Sequence, residues 1–188
     1  MRRLVAALLM VIVCSVPAWA ATDKYDRYFE RYTRRFFANI VDYQWFKAQA
    51  MAESNLNPQA KSPVGAMGLL QLMPFTSREC AGDLGIKNMP WDPESNVMMG
   101  IYYMSKMFGF WSAKRTVEQR MELSQASYNA GAGNILKAQR RAVKGGDCFA
   151  NLWDCIKRFL RLVTGIHSKE TIDYVARIHR YYELLRGL

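Results

Sequence analysis

Glu53 is the single acidic residue in the stretch AMAESNLNPQAKSPVGAMGLLQLMP, which runs from Ala50 to Pro74. Proline residues follow at positions 58 and 63, so the pattern predicts that Glu53 lies at the end of a helix. A carboxyl group there faces the negative end of the helix dipole, and packing by apolar neighbours would desolvate it. Both effects favour the protonated form that a general acid needs. Helix-end glutamates are common, so the position alone leaves an ordinary structural role open.

The elements that must position Glu53 are predicted to be almost all helical, and the fold class is all-α. An amphipathic aromatic pattern predicts a helix over 25–37, and Asp42 is the expected N-cap of the helix that ends near Glu53. Pro74 is expected to end a short helical turn, and 61–67 to form a very small β-tongue. Further helices are predicted over 94–108 and 117–130 and, near the end of the chain, over CFANLWDCIKRFLRLV and KETIDYVARIHRYYELL.

The first 20 residues have the layout of a signal peptide. Two arginines precede an apolar run, and the segment ends in the small-residue pattern Ala18-Trp19-Ala20. We therefore expect cleavage after Ala20, export to the periplasm or cell envelope, and a single domain over 21–188. An uncleaved membrane anchor is the competing interpretation, although the apolar run is short for a membrane span.

The charge of the chain is strongly basic and suggests an anionic partner. The formal net charge is +10, and it is +8 without the first 20 residues. Export argues against nucleic acid, which leaves envelope polymers or a lipid surface. Solubility is an equally good explanation of the scattered basic residues. We expect a monomer.

Three cysteines remain beyond the predicted cleavage site: Cys80, Cys148 and Cys155. In an oxidising compartment, one pair is expected to form a disulfide. Cys148 can pair with Cys155 only if it lies outside the helix, because two helical turns separate Cα atoms by about 10 Å. Pairing of Cys80 with either of the others is the alternative. No histidine has zinc-ligand spacing to these cysteines, so neither a metal nor another cofactor is expected.

Four ordered segments resemble the signature of the Slt-type lytic transglycosylases, lysozyme-like enzymes that cut peptidoglycan. The first matches a Glu-Ser pair followed by Pro-x-Ala, Ser and Gly-Ala-x-Gly-Leu-x-Gln-x-Met-Pro. The second is an Asp-Pro helix, the third a Tyr-Asn-Ala-Gly motif, and the fourth a Glu-Thr-x-x-Tyr-Val motif. The matching residues are Glu53, Ser54, Pro58, Ala60, Ser62, Gly65, Ala66, Gly68, Leu69, Gln71, Met73, Pro74, Asn96, Gly100, Tyr103, Tyr128, Asn129, Ala130, Gly131, Glu170, Thr171, Tyr174 and Val175.

The resemblance implies a reaction that needs one protein carboxyl group. In this family, the glutamate protonates the oxygen between N-acetylmuramic acid and N-acetylglucosamine. The C6 hydroxyl of the muramic acid then attacks C1, with the glutamate as base, and a 1,6-anhydro sugar results. Glycosidases that use water need a second carboxylate, and neither Asp83 nor Asp92, both expected in loops, matches a family nucleophile.

The resemblance assigns catalysis to Glu53 and substrate binding to residues of the same motifs. Ser54 and Tyr174 are expected to hydrogen-bond near the carboxyl group, Met73 to belong to the core wall, and Glu170 to orient the site. The expected substrate-binding residues are Ser54, Ser62, Gln71, Tyr128, Asn129, Glu170 and Tyr174.

Two other functions stay open from the sequence. One is a hydrolytic muramidase that uses Asp83 or Glu170 as base, and the other is a non-catalytic glycan-binding protein. The expected partner is the peptidoglycan glycan strand. Wall turnover, an envelope-spanning secretion or conjugation assembly and a phage role are all compatible with it. The segment RRAVKGGDCFANLWDCIKRFLRLVTGIH departs from the family pattern, since it is longer and more basic.

Overall fold

Helices dominate the computed structural model, which describes residues 23–146 and 148–187. The all-α prediction is confirmed. A short 3-10 turn at Gly165–His167 separates the last two helices. The helices are α1 (Asp26–Phe37), α2 (Gln44–Ser54), α3 (Pro74–Leu84), α4 (Pro93–Phe110), α5 (Val117–Ala130), α6 (Ala132–Gly145), α7 (Trp153–Thr164) and α8 (Ser168–Arg186).

Helix α2 is the central element, and it packs most extensively against α8. Every residue from Trp45 to Met51 is buried. The Trp45 ring stacks on Tyr182 of α8 at a centroid distance of 3.8 Å. Phe46 is fully buried and packs on Phe37 at the end of α1. A helix enclosed on all sides holds its last turn, with Glu53, in a fixed place.

Several local predictions differ from the structure. Pro74 begins α3 instead of ending a helical turn, because proline at the first helical position gives up an N–H that has no acceptor there. Asp83 therefore lies in a helix and not in a loop. Helix α6 was not predicted, because Gly131 and Gly133 were interpreted only as the end of the helix over 117–130. Helix α2 begins at Gln44, whose N–H donates to the Asp42 carboxylate, so Asp42 supports the helix one residue outside the assigned cap.

The small tongue is present as isolated β-bridges. Lys61 pairs with Met67, and Met67 pairs with Leu72, both antiparallel. The tongue therefore folds back twice, and its second turn extends beyond the predicted 61–67 to Leu72. This places residues 68–71 next to the end of α2.

Asn96 of α4 holds this second turn in place. Its side chain is fully buried, accepts from the Leu70 N–H at 2.8 Å, and donates to the carbonyl oxygens of Met67 and Pro90 at 2.9 and 2.8 Å. Gly68 packs directly against it with φ +76°, and a Cβ there would lie 2.3 Å from the Asn96 amide nitrogen. Gly68 is therefore required by both its conformation and its contacts.

The cysteines adopt the local pairing. Cys148 and Cys155 form a disulfide with their Cα atoms 5.8 Å apart, and Cys148 precedes α7, as pairing with Cys155 requires. Cys80 is a buried free thiol on α3, and burial raises its pKa to about 11. In the described part of the chain, no helix is both long and apolar enough to cross a membrane. The predicted signal peptide lies outside the described residues.

We expect Asn96→Ala to lower the free energy of unfolding by about 2–4 kcal/mol, because three buried backbone groups lose their partners. Chemical denaturation monitored by circular dichroism measures this loss. Asn151→Ala, at an exposed position, is the matched control. A loss as small as that of the control would contradict the role given to Asn96.

Protein lacking residues 1–20 is expected to show one free thiol, and only after unfolding, because Cys80 is buried and poorly ionised. Thiol titration under native and denaturing conditions tests this. A non-reducing peptide map should link Cys148 to Cys155. A linked peptide containing Cys80 would show the pairing to be wrong.

Candidate active site

Glu53 lies in the last turn of α2, partly buried at the floor of a cleft. The hydroxyl of Tyr174, which is buried on α8, donates to Glu53 Oε1 at 2.6 Å. This bond joins residues 121 positions apart in the sequence, and α2 and α8 pack along each other to bring them together. The predicted contact between Tyr174 and Glu53 is therefore confirmed.

The surroundings of Glu53 favour its protonated form near neutral pH. Burial raises its pKa from the ordinary 4.5 to about 7. The Tyr174 hydrogen bond and the positive charge of Arg177 oppose this shift, and the negative charge of Glu170 adds to it. Desolvation is the largest of these influences, so the carboxyl group can hold a proton that most surface glutamates have lost.

The cleft around Glu53 has a volume of about 340 Å³. Helices α2, α5 and α8 and the tongue contribute to its walls. It contains every predicted catalytic or substrate-binding residue except Ser54. The lining residues are Ala52, Glu53, Ser62, Val64, Ala66, Gln71, Met73, Tyr128, Asn129, Glu170, Tyr174 and Arg177.

Ser54 and Tyr128 tie the second turn of the tongue to two helices. The Ser54 hydroxyl lies within hydrogen-bond distance of the carbonyl oxygens of Leu69 and Ala50, at 2.8 and 3.1 Å. The Tyr128 hydroxyl donates to the Leu70 carbonyl at 2.6 Å. No bond from Ser54 to Glu53 is formed among the described residues, so Ser54 fixes the backbone beside the site. Its contact with substrate stays a prediction.

Gln71 and Ser62 shape the tongue from within. Gln71 has φ +44°, and its amide nitrogen donates to the carbonyl oxygens of Ala60 and Gly68 at 2.9 and 2.8 Å. The Ser62 hydroxyl oxygen accepts from the Ala66 N–H at 2.9 Å. Both side chains line the cleft while they stabilise the wall that carries them.

Asn129 and Glu170 lie at the exposed rim of the cleft. The Thr171 hydroxyl donates to Asn129 Oδ1 at 2.7 Å, which joins the end of α5 to the start of α8. Glu170 is the other carboxylate that lines the cleft in the described part of the chain. Asp83 lies elsewhere, paired with Lys106 at 3.0 Å and exposed on α3.

Three cleft residues were missed or misassigned from the sequence. Met73, expected in the core wall, is 42% exposed and lines the cleft together with the exposed Val64. Arg177 was not singled out. Its position three residues after Tyr174 on α8 places both on one helix face, and this spacing is the signal that could have found it. Among the described residues, no group of three histidine, cysteine or acidic side chains is arranged to hold a metal ion.

Relatives of known structure share this fold. The 70 kDa soluble lytic transglycosylase SLT70 of Escherichia coli matches with a TM-score of 0.63 and 27% identity over 87% of this chain and 24% of its own. It has also been solved in complex with bulgecin A. The lytic transglycosylase Slt of Pseudomonas aeruginosa matches with a TM-score of 0.66 at 21% identity, which supports the fold alone. The fold is therefore the lysozyme-like, all-α fold of SLT70.

Curated sequence relatives are named membrane-bound lytic murein transglycosylase F. The protein of Photobacterium profundum is 28% identical over 96% of this chain, and that of Shewanella halifaxensis is 31% identical over 86%. The chain spans about a third of the length of these relatives, 34% in both. The model of the transglycosylase SLT domain matches residues 36–147. Because this match covers more than half of the sequence and includes Glu53, the chain belongs to the transglycosylase SLT domain family.

Proposed function

We propose that this chain is a peptidoglycan lytic transglycosylase in which Glu53 alone acts as acid and then as base. The bond cleaved is the β-1,4 linkage between N-acetylmuramic acid and N-acetylglucosamine, and the product carries a 1,6-anhydro-N-acetylmuramic acid end. The observation that supports this most is the carboxyl group of Glu53, which lies in a cleft with its pKa raised to about 7.

Glu53 begins the reaction protonated and gives its proton to the bridging oxygen. The resulting carboxylate then accepts the proton of the C6 hydroxyl as that oxygen attacks C1 of the same sugar. No water is consumed, so no second carboxylate is needed to activate one. A pKa near the working pH suits a group that must give up a proton and then take one back.

Tyr174 fixes the position of the carboxyl group through its hydrogen bond to Oε1. Its hydroxyl proton also stabilises the carboxylate formed after the first proton transfer. The cleft residues Ser62, Gln71, Tyr128, Asn129 and Glu170 are proposed to contact the acetamido sugars. Ser54 is also proposed to contact the substrate, and it fixes the cleft wall through the Leu69 carbonyl oxygen.

A hydrolytic muramidase is the second candidate, and Glu170 is the observation that favours it. This carboxylate lines the same cleft and raises the pKa of Glu53 by its charge. In a hydrolase it would activate a water molecule. Because Glu170 is exposed at the rim, hydrolysis is a weaker explanation of the site than the lytic transglycosylase reaction.

The proposed substrate places the protein outside the cytoplasm. Export with cleavage after Ala20, a monomeric state and action on glycan strands of the cell wall are parts of the proposal. The names of the curated relatives, which are membrane-bound lytic murein transglycosylases, support an envelope location. Service to an envelope-spanning assembly is compatible with the same activity.

Glu53→Gln is expected to lower the rate of glycan cleavage by about two to four orders of magnitude while the fold is kept, because the proton donor is lost. Release of soluble muropeptides from purified peptidoglycan measures the rate. Near wild-type activity in this variant would contradict the assignment. Mass spectrometry of the wild-type products should find anhydro ends.

Glu170→Gln is the matched carboxylate control for this experiment. We expect a much smaller loss of rate than in Glu53→Gln, since Glu170 does not carry a transferred proton in the proposed reaction. If Glu170→Gln is folded but as inactive as Glu53→Gln, and the wild-type products carry reducing ends, the hydrolytic muramidase becomes the correct model.

Tyr174→Phe is expected to move the alkaline limb of kcat/KM to higher pH. The rate falls as pH rises through the pKa of Glu53, because the acid form is lost, and this pKa rises further when the Tyr174 hydrogen bond is removed. The rate at low pH should also fall, because the carboxyl group is less well held. Tyr102→Phe, on α4 away from the cleft, is the control. A limb that stays in place or moves to lower pH would contradict this electrostatic role.

A further inference from the structure

A second concave surface, here named the basic groove, lies between α6 and α7. Its volume is about 430 Å³. Four of its lining residues are cationic, and none of those in the described part of the chain is acidic. The lining residues are Asn134, Lys137, Arg140, Arg141, Lys144, Leu162 and Val163.

The basic groove adjoins the Glu53 cleft through an intermediate hollow of about 420 Å³. This hollow shares Asn134 and Val163 with the groove, and it shares Asn129 and Glu170 with the cleft. A polymer that occupies the cleft can therefore continue along one side of the domain into the groove.

The cations share one face of α6 because of their spacing. Positions 137, 140, 141 and 144 follow the i, i+3, i+4, i+7 pattern of a helix face. Helix α7 supplies the apolar opposite wall with Leu162 and Val163, and α6 and α7 pack extensively. At the far end of α6 the approach is close, since a Cβ on Gly145 would lie 2.9 Å from the Phe159 ring. Of the groove residues, five belong to the segment that is longer and more basic than the family motifs lead one to expect: Arg140, Arg141, Lys144, Leu162 and Val163.

We propose that the basic groove binds the carboxylates of the peptides attached to the glycan strand, an inference that rests on the proposed function. When a glycan strand lies in the cleft, the peptides attached to its muramic acid residues branch off next to the cleft. The adjoining hollow gives them a path to the groove. A neutral sugar carries no charge that could pair with four cations, whereas Lys and Arg bind carboxylates directly.

The charge of Glu170 defines where along this path an anion can bind. Glu170 lies at the junction of the cleft and the hollow and repels carboxylates there. An anionic peptide is therefore attracted beyond the junction, to the cations of α6. All four cations are exposed, so each pairing contributes modestly, and the attraction is screened over about 8 Å at physiological salt.

The experiment compares three substrates: glycan strands with intact peptides, the same strands with the peptide carboxylates amidated, and strands stripped of peptides by an amidase. The groove variant is Lys137→Gln/Lys144→Gln. The matched control is Lys87→Gln/Lys114→Gln, which removes the same charge at exposed positions outside the three cavities. Thermal unfolding checks that both variants are folded.

The groove variant is expected to lose about three- to tenfold in kcat/KM on strands with intact peptides, mainly through KM. It should match wild type on the amidated and stripped strands, and the control should match wild type on all three. If the wild-type protein cleaves every substrate but the groove variant shows no selective loss on strands with intact peptides, the inference is overturned and the proposed function stands. If the wild-type protein cleaves none of the three substrates, the proposed function is overturned, and so is the inference.

The experiment must also distinguish peptide carboxylates from an anionic lipid surface as the partner of the basic groove. Binding of both variants to phosphatidylglycerol vesicles is measured beside the kinetics. If the groove variant loses vesicle binding but cleaves strands with intact peptides as well as wild type does, the groove binds lipid headgroups, and the inference is overturned.

Discussion

The wall beside Glu53 depends on one buried side chain, the amide of Asn96. Two of its hydrogen bonds fix the backbone at Met67 and Leu70, and a third ties that turn to the carbonyl oxygen of Pro90. The carbonyl oxygens of that turn then receive the hydroxyls of Ser54 from α2 and Tyr128 from α5. Three helices are thus joined through a turn with almost no regular structure of its own. An amide suits this position, because it supplies a donor and an acceptor without placing a charge in the core.

The chemistry of the site is a balance between burial and polar contact. Burial alone would leave Glu53 protonated and unable to serve as a base, and full solvation would leave it ionised and unable to serve as an acid. Tyr174 and Arg177 pull the pKa down against desolvation, and the result lies at about 7. Because Tyr174 comes from α8, the reactivity of a residue on α2 depends on how closely these two helices pack.

Local sequence signals predicted most helices, since α1, α5 and α8 have clear apolar periodicity or end signals, and the motif resemblance predicted most of the cleft. The errors occurred where tertiary contacts overrule local pattern. Pro74 is the exception, since a proline at the first helical position is itself a local signal of a helix start. The Ser54 hydroxyl binds the carbonyl oxygen of Leu69, 15 residues later in the chain, and not the neighbouring Glu53 carboxyl group. Met73 is a large apolar residue that the sequence assigns to the core, yet it is exposed on the cleft wall.

The internal hydrogen bonds also determine what the cleft can still offer a sugar. Tyr128 donates its hydroxyl proton to Leu70, and the Gln71 amide nitrogen serves two carbonyl oxygens, so the remaining capacity of both is to accept. Ser62 and Asn129 accept within the protein, through Oγ and Oδ1, and keep hydroxyl and amide protons to donate. An acetamido group presents one N–H and one carbonyl oxygen. A wall with acceptors and donors left over can satisfy both.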